Sequence, residues 1–148
     1  MSPDDETLAR WFAAHKKWVW RSGMLAIGDA PIGRSRDDGV AGAWRVCDVY
    51  QGMPCTMAHV RFSSRTGLRI AKVVVDNAIP DLGDELTRLG VIAVVRQAWK
   101  DPTASVRFMG GDPLSGLWCW ETGHGLERRI GSAATELEAL RQALEAAP

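Results

Sequence analysis

Pro80 to Pro102, PDLGDELTRLGVIAVVRQAWKDP, is the stretch whose reading decides the fold. Asp84 is placed to cap a helix, and Glu85 puts a negative charge in the first turn, at the positive end of the helix dipole. Asp101-Pro102 ends it. At about 100° per residue, Glu85, Arg88, Arg96 and Lys100 share one stripe, interrupted by Ile92. Leu86, Leu89, Val91, Ala93, Val94, Val95, Ala98 and Trp99 cover the remaining circumference. The run Val91 to Val95 alone would also suit a buried strand, but about sixteen residues between cap and stop favour a helix. So little polar surface requires cover on more than one side. A largely buried central helix over about 84–100 is therefore expected.

The other 125 positions of a 148-residue chain must supply that cover. A chain of this length is one domain by prior, and it is long enough to bury a core without disulfide staples. Seven tryptophans stand against one tyrosine and three phenylalanines. Trp suits cores, pockets and interfaces alike, so the count does not choose among them. Formal net charge is zero, but residues 1–75 hold eleven Lys/Arg and seven Asp/Glu, and residues 76–148 hold seven and eleven, giving +4 and −4. Such a division disfavours a whole-protein DNA mimic and allows a local basic face. No apolar run is long enough to span a bilayer, and the acidic start does not match a signal peptide, so a cytoplasmic location is expected. Three cysteines without paired spacing suit a reducing compartment.

Ser2-Pro3-Asp4-Asp5-Glu6 opens a first helix, with a cap, a proline at the first helical position and acids in the first turn. Leu8, Trp11 and Phe12 share its apolar face, which should pack on the central helix or the sheet. From Lys17 the period changes, and Trp18 and Trp20 alternate as in a strand. Gly23 breaks that run before Met24 to Ile27. Residues 28–43, with Gly28, Gly33, Gly39 and Gly42 and no periodicity, are expected to form a long mobile loop. Trp44 to Tyr50, Met57 to Phe62 and Leu68 to Val75 are expected antiparallel strands, and Asn77 to Pro80 a turn into the central helix. After that helix come strands at Ser105 to Met109, Leu117 to Thr122 and Leu126 to Ile130. Thr135 with Glu138 is a capping box for a last helix striped by Leu137, Leu140 and Leu144.

Trp18-Val19-Trp20-Arg21-Ser22-Gly23-Met24-Leu25, then Pro80-Asp81-Leu82, Leu89-Gly90, Val95-Arg96, Ala98-Trp99 and Asp101-Pro102, resemble a group of small uncharacterised phage and prophage proteins. Thr135 to Leu140 resembles their last helix. The resemblance covers roughly half of the chain and implies a genomic setting rather than a reaction. Small phage accessory proteins commonly bind a host or phage macromolecule, including bacterial defence components such as CRISPR effector complexes. No functional residue carries over from it.

The residues themselves offer little chemistry. Cys47, Cys55 and His59, with Cys119 or His124, could be arranged around zinc, but the short C-x2–4-C knuckle of structural zinc sites is missing. A Cys55–His59 hydrolase oriented by Asp48 would need a hydrogen-bonded pair, whereas four strand residues separate them by about 13 Å. Gly110, Gly111 and Gly116 lack the Lys-Ser/Thr of a phosphate loop. The run His15 to Arg21 is the better candidate, because its cations and rings could meet phosphates and bases. The opposing reading places Trp18 and Trp20 in the core. If Trp18, Trp20, Trp118 and Trp120 all face the central helix from one sheet, most of the aromatic content is core. Arg34 and Arg36 add cations to the loop.

The sequence thus predicts one α+β domain over 1–148, a mainly antiparallel sheet packed with about three helices. No catalytic residue, cofactor or metal is expected. The predicted role is a non-enzymatic, phage-encoded binding protein, an anti-CRISPR-like inhibitor that docks to a bacterial host protein complex. The alternative is a nucleic-acid-binding accessory protein. Lys16, Lys17, Trp18, Trp20, Arg21, Arg34 and Arg36 are the candidate partner-binding residues, and no membrane partner is expected.

Overall fold

A computed structural model describes residues 1–32, 39–63, 67–109, 116–123 and 128–148, and the side chains of all of these except 61–63, 67 and 68. The described residues form an α+β fold of three helices and three antiparallel sheets, each of three strands. The chain divides into two compact units, Met1–Gly90 and Val91–Pro148, and the division falls inside the central helix.

In the first unit, helix α1 (Pro3–Ala14) begins as its sequence dictates. Ser2 Oγ accepts from Asp5 N at 3.1 Å, and the Asp5 carboxylate reaches back to Ser2. Ala9 and Phe12 are fully buried, and the helix packs on strand β6 (Asp76–Pro80). Strands β1 (Leu25–Ala30) and β2 (Val40–Arg45) join β6 in the order β2-β1-β6.

Strand therefore replaces loop at 28–30 and 40–43. The glycines there serve close approach rather than freedom. A Cβ on Gly28 would lie 2.5 Å from the Asp76 carbonyl oxygen, beside an irregularity in the β1–β6 register, and the Trp44 indole covers Gly42. Asn77 to Pro80 also proves to be strand rather than turn. Asn77 takes φ 51° within it, a conformation that Asn tolerates better than most residues. The predicted strand Trp44–Tyr50 is two strands. Val46 and Cys47 carry the chain from one sheet to the next, Val46 N donating to Met24 O and Cys47 N to Cys55 O, each at 2.8 Å.

The second sheet, β3-β4-β5, contains β3 (Asp48–Tyr50), β4 (Met53–Ser63) and β5 (Gly67–Val74). Gln51 (φ 48°) and Gly52 (φ 77°) form the two-residue turn between β3 and β4, and their paired positive φ values match the right-handed twist of a hairpin.

Helix α2 (Glu85–Trp99) starts at Asp84, whose Oδ2 accepts from Thr87 N and Oγ1, both at 2.9 Å. Thr87 Oγ1 accepts from Leu25 N at 2.8 Å, joining the cap to β1. Arg45 grips the same carboxylate through two nitrogens, at 2.8 and 3.0 Å, and this fork, with the Thr87 donors, holds the Asp84 carboxyl down to about 2. Met24 lies against Gly90, where a side chain would collide with it. The helix ends in a Schellman arrangement. Lys100 takes φ 52°, Lys100 N donates to Gln97 O and Asp101 N to Arg96 O. Thr87, Val91, Val94 and Val95 are buried, while Leu86 and Leu89 are 52% and 55% exposed.

In the second unit, β7 (Ser105–Met109), β8 (Leu117–Thr122) and β9 (Arg129–Ala133) form a meander. The first two match their expected bounds. The third lies further on than the predicted 126–130, and 126 and 127 fall outside the described residues. Helix α3 (Glu136–Glu145) packs across this sheet through Ala139, Leu140, Ala143 and Leu144. Thr135 Oγ1 accepts from Glu138 N, but the Glu138 carboxylate pairs with Arg141 instead of returning to the cap. Trp120 stacks near Trp99 and donates to Gln142 Oε1 at 3.2 Å. Asp101 is buried by function of its bonds: its carboxylate accepts from Thr103 N, Thr103 Oγ1 and Gly123 N.

Candidate docking face

Register decides what each side of the β3-β4-β5 sheet presents. Asp48 opposes Cys55, Tyr50 opposes Met53, Met57 opposes Lys72 and His59 opposes Ile70. Directly opposed residues share a face, and alternate residues return to it, so all eight side chains lie on one side. The opposite side carries Pro54, Thr56, Ala58 and Val60, all buried.

The first face is open. Tyr50, Met53, Met57 and Ile70 are 58%, 40%, 52% and 63% exposed, and His59 is exposed beside them. A half-buried antiparallel sheet ordinarily turns polar side chains to water. Here four large apolar ones are turned outward together, and covering what remains exposed would be worth about 1 kcal/mol each. Single exposed apolar residues are common, whereas four on one face of a sheet make that face a candidate interaction site. Two methionines add adaptability, since the unbranched thioether fits itself to varied partners.

The face is also charge-compensated. Lys72 Nζ donates to Asp48 Oδ2 at 2.6 Å, and Val49 N donates to Asp48 Oδ1 at 2.8 Å. The Lys72 ammonium, then the Val49 amide, hold the Asp48 carboxyl below its ordinary range, and Asp48 in turn raises Lys72. The pair therefore leaves no unpaired charge at this point of the face, and it remains half-exposed to water.

Cys55 lies beneath these groups, 2% exposed, its thiol pushed up first by burial and then by Asp48. It shares the continuous strand β4 with His59, so the about 13 Å of strand rise between them stands, and no hydrogen-bonded Cys–His pair is assembled. Among the described residues no group of three His, Cys, Asp or Glu side chains could hold a metal ion, and His124 lies outside them.

The predicted basic and aromatic run is arranged differently. His15 to Arg21 forms no strand. Trp18 N donates to His15 O at 2.8 Å, and Met24 N to Arg21 O at 3.2 Å. Trp18 packs on Phe12 with ring centroids 5.7 Å apart and meets Trp20 edge-on at 5.5 Å, and Trp20 is 6% exposed. The alternation arose from two rings facing one aromatic cluster, without a partner strand. The two Trp-x-Trp pairs thus do not share a sheet, for Trp118 and Trp120 belong to β8. Lys16 is exposed. Lys17 is half-buried, its ammonium pushed down by burial and then by Lys16, and Arg21 is half-buried too. Arg34 and Arg36 lie outside the described residues.

The open face went unread in the sequence although its signal is present: Met53 and Met57 share a parity on β4, and the turn at Gln51-Gly52 fixes which residues of β3 join them. No protein-family model matches the chain, and no curated protein or solved structure matches it significantly.

Proposed function

We propose that this chain is a non-enzymatic binding protein that docks to an apolar surface of a protein partner through the open face of β3-β4-β5. One observation carries the reading: Tyr50, Met53, Met57 and Ile70 stand exposed on one side of a sheet whose central strand β4 is buried on the other. The Asp48–Lys72 pair among them carries no net charge, so it offers a strongly charged partner no complement. The resemblance to phage and prophage proteins supplies the setting. In that reading the partner is a protein complex of the bacterial host, in its cytoplasm, and docking inhibits a defence system in the manner of an anti-CRISPR protein.

The test is interference. A bacterium whose CRISPR system targets a plasmid is transformed with that plasmid while it expresses the chain. Transformation should recover by at least about tenfold. Equal transformation with and without the chain, across the CRISPR types tried, contradicts the defence role. Single-stranded DNA binding that weakens steeply with salt would instead favour the nucleic-acid reading through Lys16, Lys17 and Arg21, a reading for which Trp20, 6% exposed, is no stacking platform.

A further inference from the structure

Two thiols meet where the chain crosses from β2 to β3. Asp48 opposes Cys55 in the register, and Cys47 N also donates to the Cys55 carbonyl at 2.8 Å. Two consecutive residues thus address one residue of β4, the two-against-one arrangement of a β-bulge. With ordinary backbone bond lengths, the 2.8 Å N···O bond keeps the two α-carbons within about 6.7 Å of each other, inside the roughly 4.4–6.8 Å that a disulfide spans. Both thiols are free. Cys47 is exposed and Cys55 buried, and the third cysteine, Cys119, belongs to the other compact unit. Each of the two acts electrostatically on Lys72, and Cys47 acts on Cys55. The Cys55 sulfur stands 3.9 Å from the Met53 carbonyl, a weak contact that a change of rotamer releases.

We propose that Cys47 and Cys55 are a peroxide-responsive dithiol pair, Cys47 being oxidised first and Cys55 resolving it to a disulfide that staples the base of the β3–β4 hairpin. The order follows from access, because peroxide reaches an exposed sulfur before a buried one. The Cys47 thiolate attacks the O–O bond of hydrogen peroxide, giving Cys47 sulfenic acid and releasing hydroxide, which takes up a proton to become water. The Cys55 sulfur then attacks the Cys47 sulfur, the S–O bond breaks, and the departing hydroxide carries off the Cys55 proton as a second water. Two thiols and one peroxide become one disulfide and two waters. Tyr50 and Met53 lie within the segment so closed, and the inference is independent of what they bind.

Thiol counting on the intact chain decides it. After dilute hydrogen peroxide and denaturation, alkylatable thiols should fall from the three of the sequence to one, and dithiothreitol should restore them. The tryptic peptide Val46–Arg61, which holds both cysteines, should lose two hydrogen masses and take no label, while Cys119 remains labelled. The exposed substitution Cys47→Ser should leave both remaining thiols alkylatable after the same treatment. Cys55→Ser should stop at a sulfenic acid that dimedone traps on Cys47. A Val46–Arg61 peptide that gains oxygen while Cys55 still alkylates, or a disulfide that includes Cys119, overturns the proposal.

Discussion

His15–Arg21 and Tyr50–Lys72 invert each other. The first, with cations interleaved among rings, has the composition of a binding surface, yet it buries Trp20 and packs the half-buried Trp18 on Phe12. The second has the composition of ordinary strands, yet it turns Tyr50, Met53, Met57 and Ile70 outward. Composition ranks residues by what they could contact. Register and packing decide which of them reach water.

The largest effect that separates the two regions is on stability. Trp20→Ala should cost about 3–5 kcal/mol, because a large buried ring leaves a cavity that its neighbours fill only in part. Met57→Ala, at a half-exposed position, should stay within about 0.5 kcal/mol of the parent. Urea denaturation followed by tryptophan fluorescence and circular dichroism reads both. Comparable losses at the two positions would erase the contrast.

A smaller effect tests the junction between α2 and the first sheet. Asp84→Ala should destabilise by about 1–2 kcal/mol through loss of the helix cap. The Asp84 carboxyl is held down to about 2 from an ordinary 3.8, so it stabilises the fold above about pH 4, and that contribution fades as pH falls toward about 2. Acid titrations of parent and variant should therefore converge at the low end of that window. A constant gap between pH 6 and pH 2 would show that the carboxylate's charge plays no part.

Much of the fold is legible where a local rule has no competitor. Ser2 with Asp5, Asp84 with Thr87, and Thr135 with Glu138 each begin a helix where the sequence places it, because a cap is chemistry within four residues. The strands Ser105–Met109 and Leu117–Thr122 are equally local. The misreadings involve residues whose reason lies in tertiary packing rather than in a local rule. Gly28 is small because Asp76 passes close to it, and Gly42 because Trp44 folds over it, so neither glycine signals a loop. Asn77 has turn chemistry but sits opposite a register irregularity in β1 and remains in a strand. The docking face is the extreme case. Met57 and Ile70 are thirteen positions apart, and only the pairing of Met57 with Lys72 and of Ile70 with His59 brings them to one surface.

The most direct measurement of the central claim compares two double variants of the folded chain for binding to the host complex that responds in the interference assay. Met57→Lys with Ile70→Asp changes the open face, and Lys16→Glu with Lys17→Glu changes the basic run. The first should weaken binding about a hundredfold, near 1.4 kcal/mol per residue, with the circular dichroism spectrum unchanged, while the second stays within about threefold of the parent. Undiminished binding by the first, with loss by the second, would contradict docking through the sheet and return the site to the N-terminal cations.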